Sequence, residues 1–180
     1  MFHIAGWINQ YNLMPVAPLQ VAEEHTAWCQ CGTARIKLQP RLVLLVSLPA
    51  GCTTLTEAMN RRATPVHTQL DCTRCKATSQ AMSTTSIRRG PACLWIQLLR
   101  FTAGYEKNSE NISFPLEGLR VATETDAGDE YDLVAAVLHS GSGISGGKVE
   151  KYTRHRHESI VSLRLNVHVT ASLWGCVQSF

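Results

Sequence analysis

The sequence predicts an α+β fold made mainly of antiparallel β-strands. Three observations point there. Short apolar runs recur between Pro, Gly and polar clusters, and helix signals gather at one place, from Thr54 to about Arg62. Near the end, Val161, Leu163, Leu165, Val167 and Val169 alternate with polar neighbours, the period of a half-buried strand. With 180 residues, 44% of them hydrophobic and 17% charged, the chain suffices for one domain with one sizeable core.

Residues 1–39 read as an irregular lead-in, because Trp7, Ile8, Tyr11 and Leu13 keep no period and Pro15 and Pro18 break any helix. Near its end stands Trp28-Cys29-Gln30-Cys31-Gly32, a C-x-C followed by glycine. Leu42 to Leu48, rich in Val and Leu and closed by Pro49, is a strand. Thr54 with Glu57 three positions on has capping-box spacing and opens a short helix, which Pro65 bars from continuing. Cys72-Thr73-Arg74-Cys75 follows in a polar setting, and residues 78–86 make an exposed, Ser/Thr-rich strand. Cys93 to Phe101 is the most apolar stretch and the best core candidate, with Trp95 inside it as a core residue. Ile112 to Pro115 is a short strand stopped by proline, and residues 123–130 form an acidic loop. Leu133 to Leu138 is a buried strand feeding a turn with glycines at 141, 143, 146 and 147, which lets another backbone come close.

Charge and composition exclude several classes. A net charge of +3 with scattered basic residues does not suit nucleic acid, and Arg154 to His157 is too short a cluster to be more than a solvated face. No apolar run reaches the roughly 18 residues that span a bilayer, and no secretory signal stands at the start. The expectation is a soluble chain of the cytoplasm or nucleus, with no membrane and no nucleic acid as partner. Seven cysteines without a secretory signal favour thiols and metal ligands over a disulfide framework.

Cys72 and Cys75 have the spacing that aims two sulfurs at one tetrahedral Zn²⁺; Cys29 and Cys31 are one residue short of it. The metal set is therefore Cys29, Cys31, Cys72 and Cys75 around a structural zinc, with His25 or His67 as substitute ligands. The other reading is a degenerate ribbon held by packing, with free thiols. Gly141 to Gly146 also fits G-x-G-x-x-G, yet position 166 is Asn where a dinucleotide site needs an acid, and Lys148 is followed by Val149 where a phosphate loop needs Ser or Thr. Nucleotide binding is set aside. Cys52 precedes the helix, where the macrodipole favours a thiolate, but no His or acid is placed to complete a site, so it reads as an ordinary, partly buried cysteine, and Cys93 and Cys176 read as core or edge residues.

The order of these parts resembles a known family. A Cys pair, a strand closed by Leu-Pro, a short helix and a second Cys pair precede SIRRGPACLWIQLLRF, and then come ISFPLEGL and YDLVAAVLHSGSGISGG. This is similar to the C-terminal part of the ubiquitin-specific protease family of deubiquitinases, over residues 40–154. The resemblance implies a partial papain-like palm with zinc-ribbon-like fingers, the helical thumb largely missing, and a divergent tail over 155–180 with one strand. It also implies thiol hydrolysis of isopeptide bonds at the ubiquitin C-terminus, with ubiquitin or a ubiquitinated protein as partner. Such chemistry needs a cysteine, a histidine that takes its proton and an acid or amide that orients the histidine.

No segment of residues 1–39 matches the family's nucleophile box, and the orienting residue has no match after Glu158. The general-base histidine is expected directly after Gly146-Gly147, where Lys148 stands, with Tyr152 at the family's later tyrosine. Lysine, with a reference pKa of about 10.4, is protonated at neutral pH and cannot accept the thiol proton. His139 matches the strand-end histidine of the substrate loop, which also comprises Gly141, Gly146, Gly147 and Tyr152. The resemblance therefore implies a catalytically inactive fragment that at most binds ubiquitin; the alternative is a zinc-ribbon interaction module without ubiquitin binding.

Overall fold

Strands dominate because β-branched and alternating segments do, and four of them build one antiparallel sheet in the order β2-β1-β5-β4. The structure is a computed structural model that describes residues 20–101, 108–124, 128–140, 148–153, 169–170 and 177–179. In the four-stranded sheet, β1 (Val21–Cys29) forms a hairpin with β2 (Ala34–Arg41), and β4 (Val66–Cys72) forms another with β5 (Ala77–Arg89). The two hairpins join through antiparallel pairing of β1 and β5, with Cys29 opposite Ala81. Both hairpin tips consequently lie at the same end of the sheet.

At its other end this sheet merges into the main core. Val21 and Ile87 pack there with Leu44, Val46, Leu55, Leu94, Ile96, Leu98 and Tyr131, all buried. Parallel strands β3 (Leu44–Ser47) and β6 (Ile96–Leu99) supply alternate inward residues to it. The helix α1 (Leu55–Arg62) covers this region with Leu55 and Ala58. Its start follows the capping prediction: the Glu57 amide donates to Thr54 Oγ1 at 3.1 Å, while the Glu57 carboxylate accepts from the Thr53 amide at 3.4 Å. Arg61 and Arg62 in the last turn suit the negative end of the dipole.

Two small antiparallel sheets complete the fold. One has the order β12-β8-β7, from β7 (Leu119–Val121), β8 (Asp129–Leu133) and β12 (Val177–Ser179); the other has β10-β9-β11, from β9 (Ala135–Ser140), β10 (Lys148–Thr153) and β11 (Val169–Thr170). No helix among the described residues is long and apolar enough to cross a membrane.

Several expectations change. The lead-in over 1–39 is not irregular throughout, since β1 and most of β2 lie within it from Val21 on; residues 1–19 lie outside the described set. Charged and polar residues on both strands hid the period, because much of this sheet faces solvent on both sides. The stretch Cys93 to Phe101 yields the four-residue β6 with single bridge residues at Cys93 and Phe101, and Ile112 to Pro115 yields one bridge, from Ser113 to Thr54. The run Leu133 to Leu138 divides at Val134 between β8 and β9, which belong to different sheets. Of the expected tail strand, only Val169 is described, paired with Ser140, and among its described residues the tail contributes two short strands, β11 and β12. Cys93 is disulfide-bonded, so the expectation of free thiols fails there while it holds for Cys29, Cys31, Cys52, Cys72 and Cys75.

Candidate metal centre and substrate loop

The two hairpin tips meet through their cysteines. Cys29 ends β1 and Cys31 lies in the following turn; Cys72 ends β4 and Cys75 lies in its turn. Each tip closes with a left-handed residue, Gly32 (φ 83°) in the first and Lys76 (φ 53°) in the second. Backbone bonds fix both: the Gly32 amide donates to the Cys29 carbonyl at 2.9 Å, and the Lys76 amide to the Cys72 carbonyl at 2.8 Å. Across the gap, Arg74 Nη1 donates to the Cys31 carbonyl at 3.4 Å.

Four sulfurs result, all within 4.8 Å of one another. Cys29 Sγ is 3.8 Å from Cys75 Sγ, and Cys31 Sγ is 3.6 Å from Cys72 Sγ. Zinc–sulfur bonds of about 2.3 Å in a tetrahedron set sulfurs about 3.8 Å apart, so these residues fit zinc. The one-residue deficit of the first pair is absorbed by the turn. His25 and His67 are not in the cluster: His25 Nδ1 bonds the Thr85 hydroxyl at 3.0 Å, and His67 pairs with Met82 in the sheet.

Hydrogen bonding within the cluster shifts its thiols in different directions. The bond between Cys31 and Thr33 draws the Cys31 thiol down to about 6, while bonding to Cys31 above all pushes Cys75 up to about 12. Bonding with Ser79 at 3.1 Å lowers Cys29. Adjacent thiolates repel, and a divalent cation relieves that repulsion by displacing the remaining protons. Around the cluster packing is thin, with Leu70 and Ala81 the buried apolar neighbours.

Partway along β1 lies a feature the sequence did not announce. Glu23 is 2% exposed and its carboxylate bonds Arg41 of β2 and Arg62 of α1, with His25 Nε2 at 3.6 Å. Burial and the nearby cations Arg41 and Lys37 lower the His25 pKa below 6.5. Arg62 is 39 residues from Glu23, so only the fold reveals the pair.

Of the expected substrate loop, the flanking strands are described. His139 pairs with Val149 and Thr170, Lys148 with Ser140, and Tyr152 with Ala136, so β9 and β10 pair antiparallel. Lys148 and His139 fall at register positions of opposite parity. Gly141, Gly146 and Gly147 lie outside the described residues. Cys52 is buried in the main core and donates from Sγ to the Thr54 carbonyl at 3.3 Å, which fits an ordinary cysteine.

With two cysteine-tipped hairpins joined to a palm-like core, the comparison with known families is decisive. A family model described as ubiquitin carboxyl-terminal hydrolase matches residues 52–168. The chain belongs to the ubiquitin carboxyl-terminal hydrolase family. Among curated relatives, ubiquitin carboxyl-terminal hydrolase 3 of Homo sapiens and that of Mus musculus are each 28% identical over 153 residues, a match that takes in 69% of this chain and 29% of theirs. Among solved structures, a SAGA DUB module of Ubp8, Sgf11, Sus1 and Sgf73 bound to monoubiquitin aligns with TM-score 0.77 and 20% identity, covering 97% of this chain and 46% of that one. A yeast SAGA DUB module carrying an Sgf73 mutant aligns with TM-score 0.75 and 17% identity, over 99% of this chain and 46% of that one. The fold is thus the partial ubiquitin-hydrolase fold that the resemblance implied, and the chain spans less than half of each relative.

Proposed function

We propose that this chain binds ubiquitin through its finger sheet and palm and does not hydrolyse it. The observation that carries the binding is an apolar face left open on a family finger sheet: Trp28 is 42% exposed, Ile36 61% and Leu38 54%, all on the face shared by Thr26↔Ile36, Trp28↔Ala34 and Glu24↔Leu38. The related SAGA DUB module is itself bound to monoubiquitin. In this reading zinc at Cys29, Cys31, Cys72 and Cys75 holds the fingers, and His139, Gly141, Gly146, Gly147 and Tyr152 belong to the loop that receives the ubiquitin C-terminus.

Inactivity rests on the proton. Lys148 stands at the base position, and an ammonium has no lone pair with which to accept a thiol proton. No residue of the sequence matches the family's nucleophile or its orienting acid. Zinc, when bound, supplies a structural staple and no step of the hydrolysis.

The test has two arms. A ubiquitin probe with a C-terminal electrophile is expected to leave the chain unmodified, and an adduct at any cysteine contradicts inactivity. Isotope-labelled ubiquitin is expected to show saturable NMR shifts on titration, weakened at least tenfold by Trp28→Ser. Unchanged ubiquitin spectra with a zinc-loaded chain would favour the second reading, a zinc-ribbon interaction module without ubiquitin binding, which the four-sulfur cluster also supports.

A further inference from the structure

Strand β2 has three properties that together define a binding edge. It is the outer strand of its sheet, and among the described residues nothing pairs with its far side. Its faces are segregated by the period of two: Ile36 and Leu38 lie on one, Arg35 and Lys37 on the other, beside Ala27 and His25 of β1. All four side chains are exposed, and neither Arg35 nor Lys37 has an ion-pair partner among the described residues.

We propose that β2 accepts an extended segment of a partner protein as an added strand, and that this segment alternates apolar with acidic residues. An open edge supplies main-chain donors and acceptors, and alternate side chains set the specificity. Apolar residues of the incoming strand lie beside Ile36 and Leu38, and carboxylates lie across from Arg35 and Lys37. Pro40 lacks an N–H, which confines the pairing to the stretch from Ala34 to Gln39. A lysine on an edge strand usually discourages edge pairing. Here it discriminates by charge. Centred two-fold pairings of two β2 strands set Lys37 opposite Arg35, Lys37 opposite itself or Arg35 opposite Arg41, so like charges disfavour a second copy. A carboxylate-bearing strand meets the opposite sign at the same positions.

The edge shares Ile36 and Leu38 with the proposed ubiquitin face but engages the β2 main chain, and its test uses no ubiquitin. The full chain, zinc-loaded, is titrated into a fluorescein-labelled ten-residue peptide of alternating Val and Glu with capped ends, read by fluorescence anisotropy. Saturable binding is expected, at least tenfold tighter than to a Val/Lys alternating peptide or to a block peptide of the same Val/Glu composition. Amide exchange at residues 35–39 is expected to slow on binding. The double variant Arg35→Glu, Lys37→Glu alters exposed positions and should keep its zinc; its preference is expected to switch to the Val/Lys peptide. Equal binding of alternating and block peptides would overturn the proposal, as would a preference untouched by the charge reversal. Tighter binding of a single-stranded DNA oligonucleotide than of the Val/Glu peptide would assign the basic stripe to nucleic acid and overturn it as well.

Discussion

Strand β1 begins in one kind of surroundings and ends in another. Among the described residues, Val21 sits in a core of fourteen buried residues, whereas Cys29, about 26 Å along the strand at about 3.3 Å per residue, sits in a cluster of four. In the second cluster Leu70 is the lone large aliphatic side chain, and a fully buried Leu stabilises by about 1.5–3 kcal/mol. Ordering backbone costs about 1–2 kcal/mol per residue, so apolar burial cannot hold the distal sheet. The comparison teaches that the palm end is held by packing, whereas the finger end relies on four sulfurs placed to take a metal. Between the two, Glu23 ties the fingers to α1 through Arg62.

Changes at the metal should separate the two ends most. Cys72→Ser removes one of four ligands, and structural zinc contributes about 10–16 kcal/mol in zinc-finger peptides. The variant is expected to lose stoichiometric zinc and the protection of β4 and β5 in hydrogen exchange while keeping the palm; a variant that retains both would rule out the metal's role.

Next comes the junction. Glu23→Gln strands Arg62, itself only 16% exposed, and breaking a buried pair from one side costs about 3–5 kcal/mol. Urea denaturation should report that loss, and a loss under about 1 kcal/mol would mean that the link between fingers and helix is incidental.

Smaller effects refine each end. Gly32→Ala meets no atom within 4 Å of the added Cβ, so its cost is backbone strain alone, about 1–2 kcal/mol. That cost should appear as weaker zinc affinity. At the palm end, the Thr53 amide lowers the Glu57 pKa from its ordinary 4.5. A carboxylate lowered on folding contributes stability above its unfolded value, lost as pH falls through the lower folded one. Melting temperatures of the parent chain and Glu57→Gln should therefore differ at pH 6 and converge as pH falls below 4.5; a constant gap would remove the cap from the account.

The helix and the metal set were legible because their signals are local. Thr54 and Glu57 lie three residues apart, and the cysteines form two short pairs whose chemistry is unambiguous once they meet. The distal strands were not legible, because β2 exposes residues on both faces and β1 buries the polar Glu23 and Thr26 beside its apolar residues, so neither has the contrast that marks a half-buried strand. Glu23 was invisible for a different reason: its partners come from other elements, and a glutamate in a polar stretch reads as solvated until α1 is placed beside it. The apolar run at Leu133 to Leu138 gave the right element type but hid the break at Val134, since both pieces are strand.

The division between a metal-held and a packed end is tested most directly by residue-resolved hydrogen exchange on the zinc-loaded chain before and after chelation. Chelation is expected to abolish protection in β1 beyond Thr26, in β4 and in the first half of β5, and to leave β3, β6 and β8 protected. Uniform loss across both ends, or protection of β4 and β5 that survives complete removal of zinc, would contradict the account.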